Sequence, residues 1–387
     1  MGTTNEDIRN FLLLRQLDLL RYSKSVQKKI IKLLEESQSY VTESIEKKIS
    51  TLVGKDIIST YTLDRLKALD KAIKDIRFGS FLSIGKELKS SLYELAKEEL
   101  KHSLDLVNGS VPVVLDLVNP DFARLRALVT DNPIQGKVLK DWILKLSRDD
   151  YGRLTSSVRL GLSTGQTNKE ILNNVELLLE LTKKQVSTIV RTAIMDVAAS
   201  VREQLYNENQ EVFEKEIYVA TLDARTTAIC RANDGKIFEK GKGLMPPAHF
   251  NCRSIRVPLL TEKLIGDRPF NPTTQKQLLA EYAKQNNLGK ITNRDDLPRG
   301  TKKDFDTFAR KRARELIGTV PASTTYEDFI KAQSVEFQNE VLGKTKAQLF
   351  RNGGLKLDQF VDTNGNELTI LELSERYKEA FRKAGLL

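Results

Sequence analysis

The chain has 387 residues, 40% of them hydrophobic and 29% charged, with a formal net charge of +10. That length can bury a sizeable core spread over two or three domains, and the composition is that of an ordinary soluble protein. Two cysteines exclude a disulfide-stapled scaffold and fit a reducing compartment, and no run is long and apolar enough to span a bilayer, so stable membrane insertion is not expected.

The opening MGTTNEDIRN lacks a basic region followed by an apolar one, which predicts no secretion, and the residues after Gly2 do not fit a myristoylation signal. The basic balance favours a polyanionic neighbour, either nucleic acid or the acidic surface of another protein. It also fits an ordinary solubility charge.

In chain order, residues 6–50 predict one or two long amphipathic helices. Leu12, Leu13, Leu14, Leu17, Leu19 and Leu20, then Val26, Ile30, Ile31, Leu33 and Leu34, recur at three-and-four spacing. A break near Gly54 precedes a second helix over Tyr61–Ile76. A third is expected from about Ser80 or Ser83 to Leu106, ended by Asn108–Gly109, with His102 on its surface. Pro112 and Pro120 bracket an unassigned apolar piece, and Asp121–Val129 reads as a short helix. Asp131–Asn132–Pro133 is the expected end of an N-terminal helical arm.

Next come helices over Val138–Leu146, which holds the only tryptophan, and over Tyr151–Gly161. Thr167, with Glu170 three residues on, predicts a capping box that opens the following helix. Another long helix, Lys184–Asn207, carries Arg191–Thr192–Ala193 in its middle. A strand is expected around Ile217 and Val219, a turn at Asn233–Asp234–Gly235, a return at Lys236–Phe238 and a last strand at Ile255–Leu259. The chain then turns polar, with loop signals at Gly266–Pro269 and Asn271–Pro272. Helices are expected at Thr274–Asn286, Lys302–Leu316, Thr325–Gln338, Leu342–Phe350 and Glu372–Lys383, with a tight turn at Asn364–Gly365.

Two sets of residues carry candidate chemistry. Both cysteines, Cys230 and Cys252, fall with His249 in one loop-rich stretch, spaced C-x18-H-x2-C. Two thiolates and an imidazole suit a tetrahedral zinc, with Asp223, Asp234 or water as a fourth ligand. The same residues also fit a loop pinned by hydrogen bonds and Asp–Arg pairs, with the cysteines as small buried hydrophobes, or a Cys230–Cys252 disulfide. Cofactors are therefore none or zinc. A Cys–His nucleophile lacks an orienting third group, and no enzyme is expected. The second set is the run Arg299, Lys302, Lys303, Arg310, Lys311, Arg312 and Arg314, which suits non-specific phosphate contact or is a solvated helix face.

The stretch DARTTAIC, then DGKIF, then PPAHFNCR resembles the phage Mu F-like minor head proteins, a family that includes the SPP1 minor head protein. The matching residues are Asp223, Arg225, Thr226, Cys230, Asp234, Gly235, Lys236, Phe238, Pro246, Pro247, His249, Asn251, Cys252 and Arg253. Arg191–Thr192–Ala193 resembles the family's R-T-E helix. Thr227, Ser254 and Ala193 stand where the family usually has Cys, Cys and Glu, so half of the motif's thiols are missing. The likeness spans roughly residues 137–260, with a second likeness in the tail from Tyr326.

The resemblance implies a head morphogenesis or minor capsid protein of a tailed phage. Such a protein is made in the host cytoplasm and placed inside the virion head near the portal, in several copies. Its implied partners are the portal protein, other capsid or head proteins and packaged double-stranded DNA, with a role in assembly and in genome packaging or ejection. The alternative is a DNA-binding or DNA-processing metalloenzyme built on the Cys/His site. The expected fold is α+β and mostly helical: a helical arm over 1–132, a core with a small β-hairpin and loop motif over 133–262, and a basic, mainly helical extension over 263–387.

Overall fold

A computed structural model describes residues 4–49, 60–110, 116–259 and 266–387. The break expected near Gly54, the Pro112 end of the unassigned apolar piece and the boundary drawn at 262 lie outside these residues. Among the described residues the fold is α+β and mostly helical, with thirteen α-helices and two three-stranded sheets. No described helix is long and apolar enough to cross a membrane.

The chain divides into two compact units, one of Phe11–Asn209 with His249–Cys252, the other of Met1–Asn10, Gln210–Ala248 and Arg253–Leu387. The division falls elsewhere than at 132. The N-terminal helices do not stand apart as an arm, because their apolar stripes share one core with the helices that follow.

The helical unit is built from long rods. Helix α1 runs Thr4–Ile49, α2 Thr60–Ser110, α3 Phe122–Thr130, α4 Leu139–Ser163 and α5 Asn168–Glu208. Buried α1 residues Leu12, Leu19, Val26, Ile30, Leu34, Val41 and Ile45 hold one face, while Leu14 and Leu17 point to solvent. On α2 the stripe reads Leu69, Ile73, Phe81, Ile84, Leu88, Leu92 and Leu95. These stripes meet Ile143 and Leu146 of α4 and Val190, Ile194 and Val197 of α5 in the main core. Each buried aliphatic side chain contributes about 1.5–3 kcal/mol, which outweighs the modest intrinsic helix preference of so charged a sequence.

Three expected interruptions are absent. Helix α2 is continuous across Gly79, where the two helices expected at Tyr61–Ile76 and from Ser80 are one. Helix α4 joins Val138–Leu146 to Tyr151–Gly161, and α5 joins both of its expected segments. The reason is buried charge. Arg77, in the α2 stripe, places its Nε 2.9 Å from Asp150 of α4, with both side chains at or below 1% exposure. Arg77 also donates to Ser37 and Gln38, and Thr182 donates to Asp150. The Arg148–Asp149–Asp150 run therefore sits inside a helix as part of its packing surface. Thr167 and Glu170 do form the predicted capping box at the start of α5. His102 is corrected from a surface residue to a half-buried one. It stacks on Phe11 at 4.4 Å, and burial, then the Arg15 charge, pushes its pKa down.

The second unit is made of short pieces. Strands β1 (Lys215–Val219), β2 (Leu222–Asp223), β3 (Ile237–Glu239) and β4 (Ile255–Leu259) surround helix α6 (Ala228–Asn233). The first sheet has the order β3-β1-β4, all antiparallel, as the strand and its two expected returns require. The second sheet was not expected. Strand β5 (Asp267–Asn271), in the stretch read as loop, pairs parallel with β2 and antiparallel with β6 (Gly318–Pro321).

Helices α7 (Gln275–Gln285) and α8 (Thr301–Glu315) pack through Leu278, Leu279, Tyr282 and Phe305. The expected Thr325–Gln338 helix is two, α9 (Tyr326–Lys331) and α10 (Val335–Leu342), because Ser334 caps a new start. Then follow α11 (Lys344–Arg351), α12 (Ile370–Arg376) and α13 (Lys378–Lys383), where one helix over Glu372–Lys383 was expected. The Asn364–Gly365 turn forms as read, with Asp362 accepting from the Asn364 and Asn366 amides. This tail has its own core of Tyr326, Phe329, Phe337, Phe350, Phe360 and Phe381.

Candidate functional site

The motif residues build a framework of carboxylates with fixed partners. Asp223 ends β2 and receives both Arg253 guanidinium nitrogens, at 2.5 and 2.8 Å. It also accepts from the Arg225 amide and the Thr226 hydroxyl. Burial pushes its pKa up, but the hydrogen bonds and charge of Arg253 overcome this and hold the carboxyl below its usual range. Arg225 lies 3.5 Å from the same carboxylate, with its side chain 81% exposed.

Asp234 is the stronger hub. Its two oxygens accept from the Ala220 amide, the Tyr326 amide and both terminal nitrogens of Arg268. Arg268 in turn donates to the Ala220 and Thr324 carbonyls. One buried carboxylate thus ties β1, β5 and the start of α9 together. Gly235 follows with φ +80°, a conformation open to glycine at no steric cost, and a Cβ there would come 2.8 Å from Thr325.

The other motif positions have equally local reasons. Phe238 lies under the Arg256 guanidinium, 4.9 Å away, and close against Gly243. Arg256 and Lys240 both pair with the buried Glu216 of β1. Pro246–Pro247 is joined by a cis peptide bond. Asn251 adopts the left-handed region, φ +59°. Its amide donates to the Thr192 hydroxyl and its side-chain oxygen accepts from Arg191. The Arg191–Thr192 pair of α5 therefore works as a clamp on this loop, while Ala193 is buried in the helix core. Phe250 packs edge-on against Trp142 at 5.5 Å.

One ligand atom from each of Cys230, His249 and Cys252 lies within 4.8 Å of the others. Both cysteines are buried thiols. The Tyr218 hydroxyl is 3.2 Å from the Cys230 sulfur. The Nδ1 of His249 is 2.8 Å from the Phe250 carbonyl, and donating there leaves the lone pair on Nε2, the arrangement that orients a metal-ligating imidazole. Around a tetrahedral zinc, neighbouring donors stand about 3.5–4 Å apart, so this set fits after small shifts.

Asp223, named as a tentative fourth ligand, is not among the grouped donors, and both of its oxygens accept from Arg253. Asp234 is likewise committed to Arg268. Three protein donors would leave water as the fourth ligand.

The basic run divides by face. Lys302 pairs with Asp295, and Arg312 pairs with Glu281 and Glu315. Lys303, Arg310 and Arg314 share another face of α8 and, with Arg225, line a single cleft. Arg299 and Lys311 are exposed outside that cleft. The partners that the sequence reading missed are Glu216, Arg256, Arg268 and Tyr326. Three of these are charged residues in strands; Arg256, set between apolar neighbours in IRVPL, carried a visible signal of alternation, and Arg268 in DRPFN carried none.

The motif residues thus supply the Arg191–Thr192 clamp on Asn251, the Asp223–Arg253 pair and the Asp234–Arg268 hub. Residues 153–256 match the family model described as Phage Mu protein F like protein. The resemblance read from the motifs therefore holds over the second half of α4, all of α5 and the sheet as far as β4. No curated protein and no solved structure matches the chain.

Proposed function

We propose that the chain is a head morphogenesis protein of a tailed phage, a minor component inside the head near the portal vertex, present in several copies and in non-specific contact with packaged DNA. The observation that carries this reading is the Mu F-like match over residues 153–256. The geometry is consistent with structural work. The motif's carboxylates are spent on arginines that hold the loop. On this reading a zinc ion held by Cys230, His249 and Cys252 serves as a staple for the loop. The test images particles assembled with and without the chain. Density at the inner face of the portal vertex that disappears with the chain supports the proposal, and absence of the chain from purified particles overturns it.

The second reading, a DNA-processing metalloenzyme, draws on the same Cys/His group, because three protein donors with an open position is also the catalytic arrangement of zinc. Metal analysis of the purified chain and of His249→Ala separates the two. A staple predicts about one zinc per chain, lost in the variant together with thermal stability and particle incorporation. An enzyme predicts that the variant folds and incorporates normally but loses turnover of DNA.

A further inference from the structure

The cleft between the β2–α6 turn, the start of α7 and one face of α8 has a volume of about 650 Å³. Arg225 reaches it from the turn, and Lys303, Arg310 and Arg314 reach it from α8. Steps of seven and four residues return a helix to the same face, so these three cations form a row along the cleft. They lie 78 to 89 residues further along the chain than Arg225, and the fold brings them to one place.

The carboxylates in the cleft are already neutralised. Asp223 is held by Arg253, and Asp306 by both the Nε and Nη2 of Arg294, at 2.8 and 2.6 Å. Those hydrogen bonds hold Asp306 below the usual carboxylate range, so it stays ionised and matched to Arg294. Among the described residues no carboxylate pairs with Lys303, Arg310 or Arg314, in contrast to Lys302 and Arg312 on the other faces. Arg310 is steadied by its own helix, its Nε donating to the Asp306 carbonyl at 3.0 Å and its Nη2 to Thr307 at 3.2 Å. At the start of α7 the Thr274 amide donates to Gln277, the Lys276 amide to Glu340 and the Gln277 amide to the Thr274 hydroxyl, and the four cationic side chains supply the charge that attracts an anion.

We infer that this cleft is the seat of the DNA contact: it takes successive phosphates of one duplex strand, with Arg225, Lys303, Arg310 and Arg314 as the phosphate ligands. The inference rests on the proposed DNA contact and names its location. Arginine and lysine in a row along the cleft suit successive backbone phosphates, contacts that fix position and carry no sequence information.

The test measures binding of the full chain to a fluorescein-labelled 30-base-pair duplex over a range of salt, comparing wild type, Arg310→Ala/Arg314→Ala, Arg310→Lys/Arg314→Lys and Lys302→Ala/Lys311→Ala. Each phosphate contact contributes about 0.9 to the slope of log K against log salt. The Arg310/Arg314 alanine pair is expected to flatten the slope by about 1.8, the lysine pair to restore it, and the Lys302/Lys311 pair to leave it unchanged. All four positions lie at or near the surface, so circular dichroism of each variant should match wild type. Duplex binding with a slope that the Arg310/Arg314 alanine pair does not alter overturns the cleft while leaving DNA contact standing. No duplex binding by wild type overturns both, and leaves the head-protein reading to the imaging of particles.

Discussion

The two units are held together by different physics. Phe11–Asn209 is a set of rods whose apolar stripes repeat every three or four residues over as many as fifty-one residues, and its cohesion is spread over dozens of similar contacts. The other unit has strands of two to five residues and helices of six to fifteen, elements too short to stand alone. Alongside the apolar cores of its tail and of α7–α8, its strands are tied by a few polar junctions between residues far apart in sequence: Asp234 with Arg268 and Tyr326, Asp223 with Arg253, Glu216 with Arg256. Distributed packing tolerates single losses, whereas a junction fails as a whole because its remaining members are left buried without a counter-charge.

The sharpest way to break that contrast is Asp234→Ala. It strands Arg268 and two backbone amides, and should cost about 3–5 kcal/mol in urea unfolding. A loss below about 1 kcal/mol would show that the junction carries little of the load.

Next is a polar site within the helical unit itself. Asp196 on α5 is pushed up to about 7 by burial, with the hydrogen bond from Asn132 pulling it down. The folded chain then keeps a proton that the unfolded chain releases, so stability from this group is full below about pH 4 and lost as pH rises through about 7, by up to about 4 kcal/mol. Asp196→Asn should flatten this part of the stability–pH curve and raise stability above pH 7. An unchanged curve would mean that Asp196 is charged in the fold.

Leu92→Ala, in the middle of the α2 stripe, should cost about 3 kcal/mol, as a cavity in an otherwise repetitive core. A larger loss than that of Asp234→Ala would reverse the contrast between the units. The smallest effect is expected at Thr167→Ala, where loss of one capping box removes about 1 kcal/mol from α5.

The same contrast explains what could be read in advance. Long stripes are a periodic signal, so the helices of the first unit were visible in the sequence. What hid the continuity of α2 was charge: Arg77 occupies a stripe position, where a reader counting apolar residues sees an interruption, and in the structure it meets Asp150. In the second unit the hairpin was legible because its turn carries Asn233–Asp234–Gly235; the Cys230–His249–Cys252 grouping was legible because its residue types are rare in this chain. Strand β5 was not, because Asp267–Arg268–Pro269 has loop composition and becomes a strand through Arg268's contact with Asp234. Asp–Arg pairing within the loop was foreseen and is met by Asp223 with Arg253; Arg268, from outside the loop, as the partner of Asp234 was not.

Helix α5 has a geometric consequence. At about 1.5 Å per residue its forty-one residues make a rod of about 60 Å, with the Arg191–Thr192 clamp a little past its midpoint. The clamp faces Asn251 only because the count of residues from Asn168 is right. Inserting one residue upstream of Lys184 would rotate the pair by about 100° and carry it off the loop, whereas inserting a seven-residue repeat would shift it along the axis with nearly the same facing. The helix is thus a ruler as much as a strut, and changes in its length should be poorly tolerated even where its sequence is free to vary.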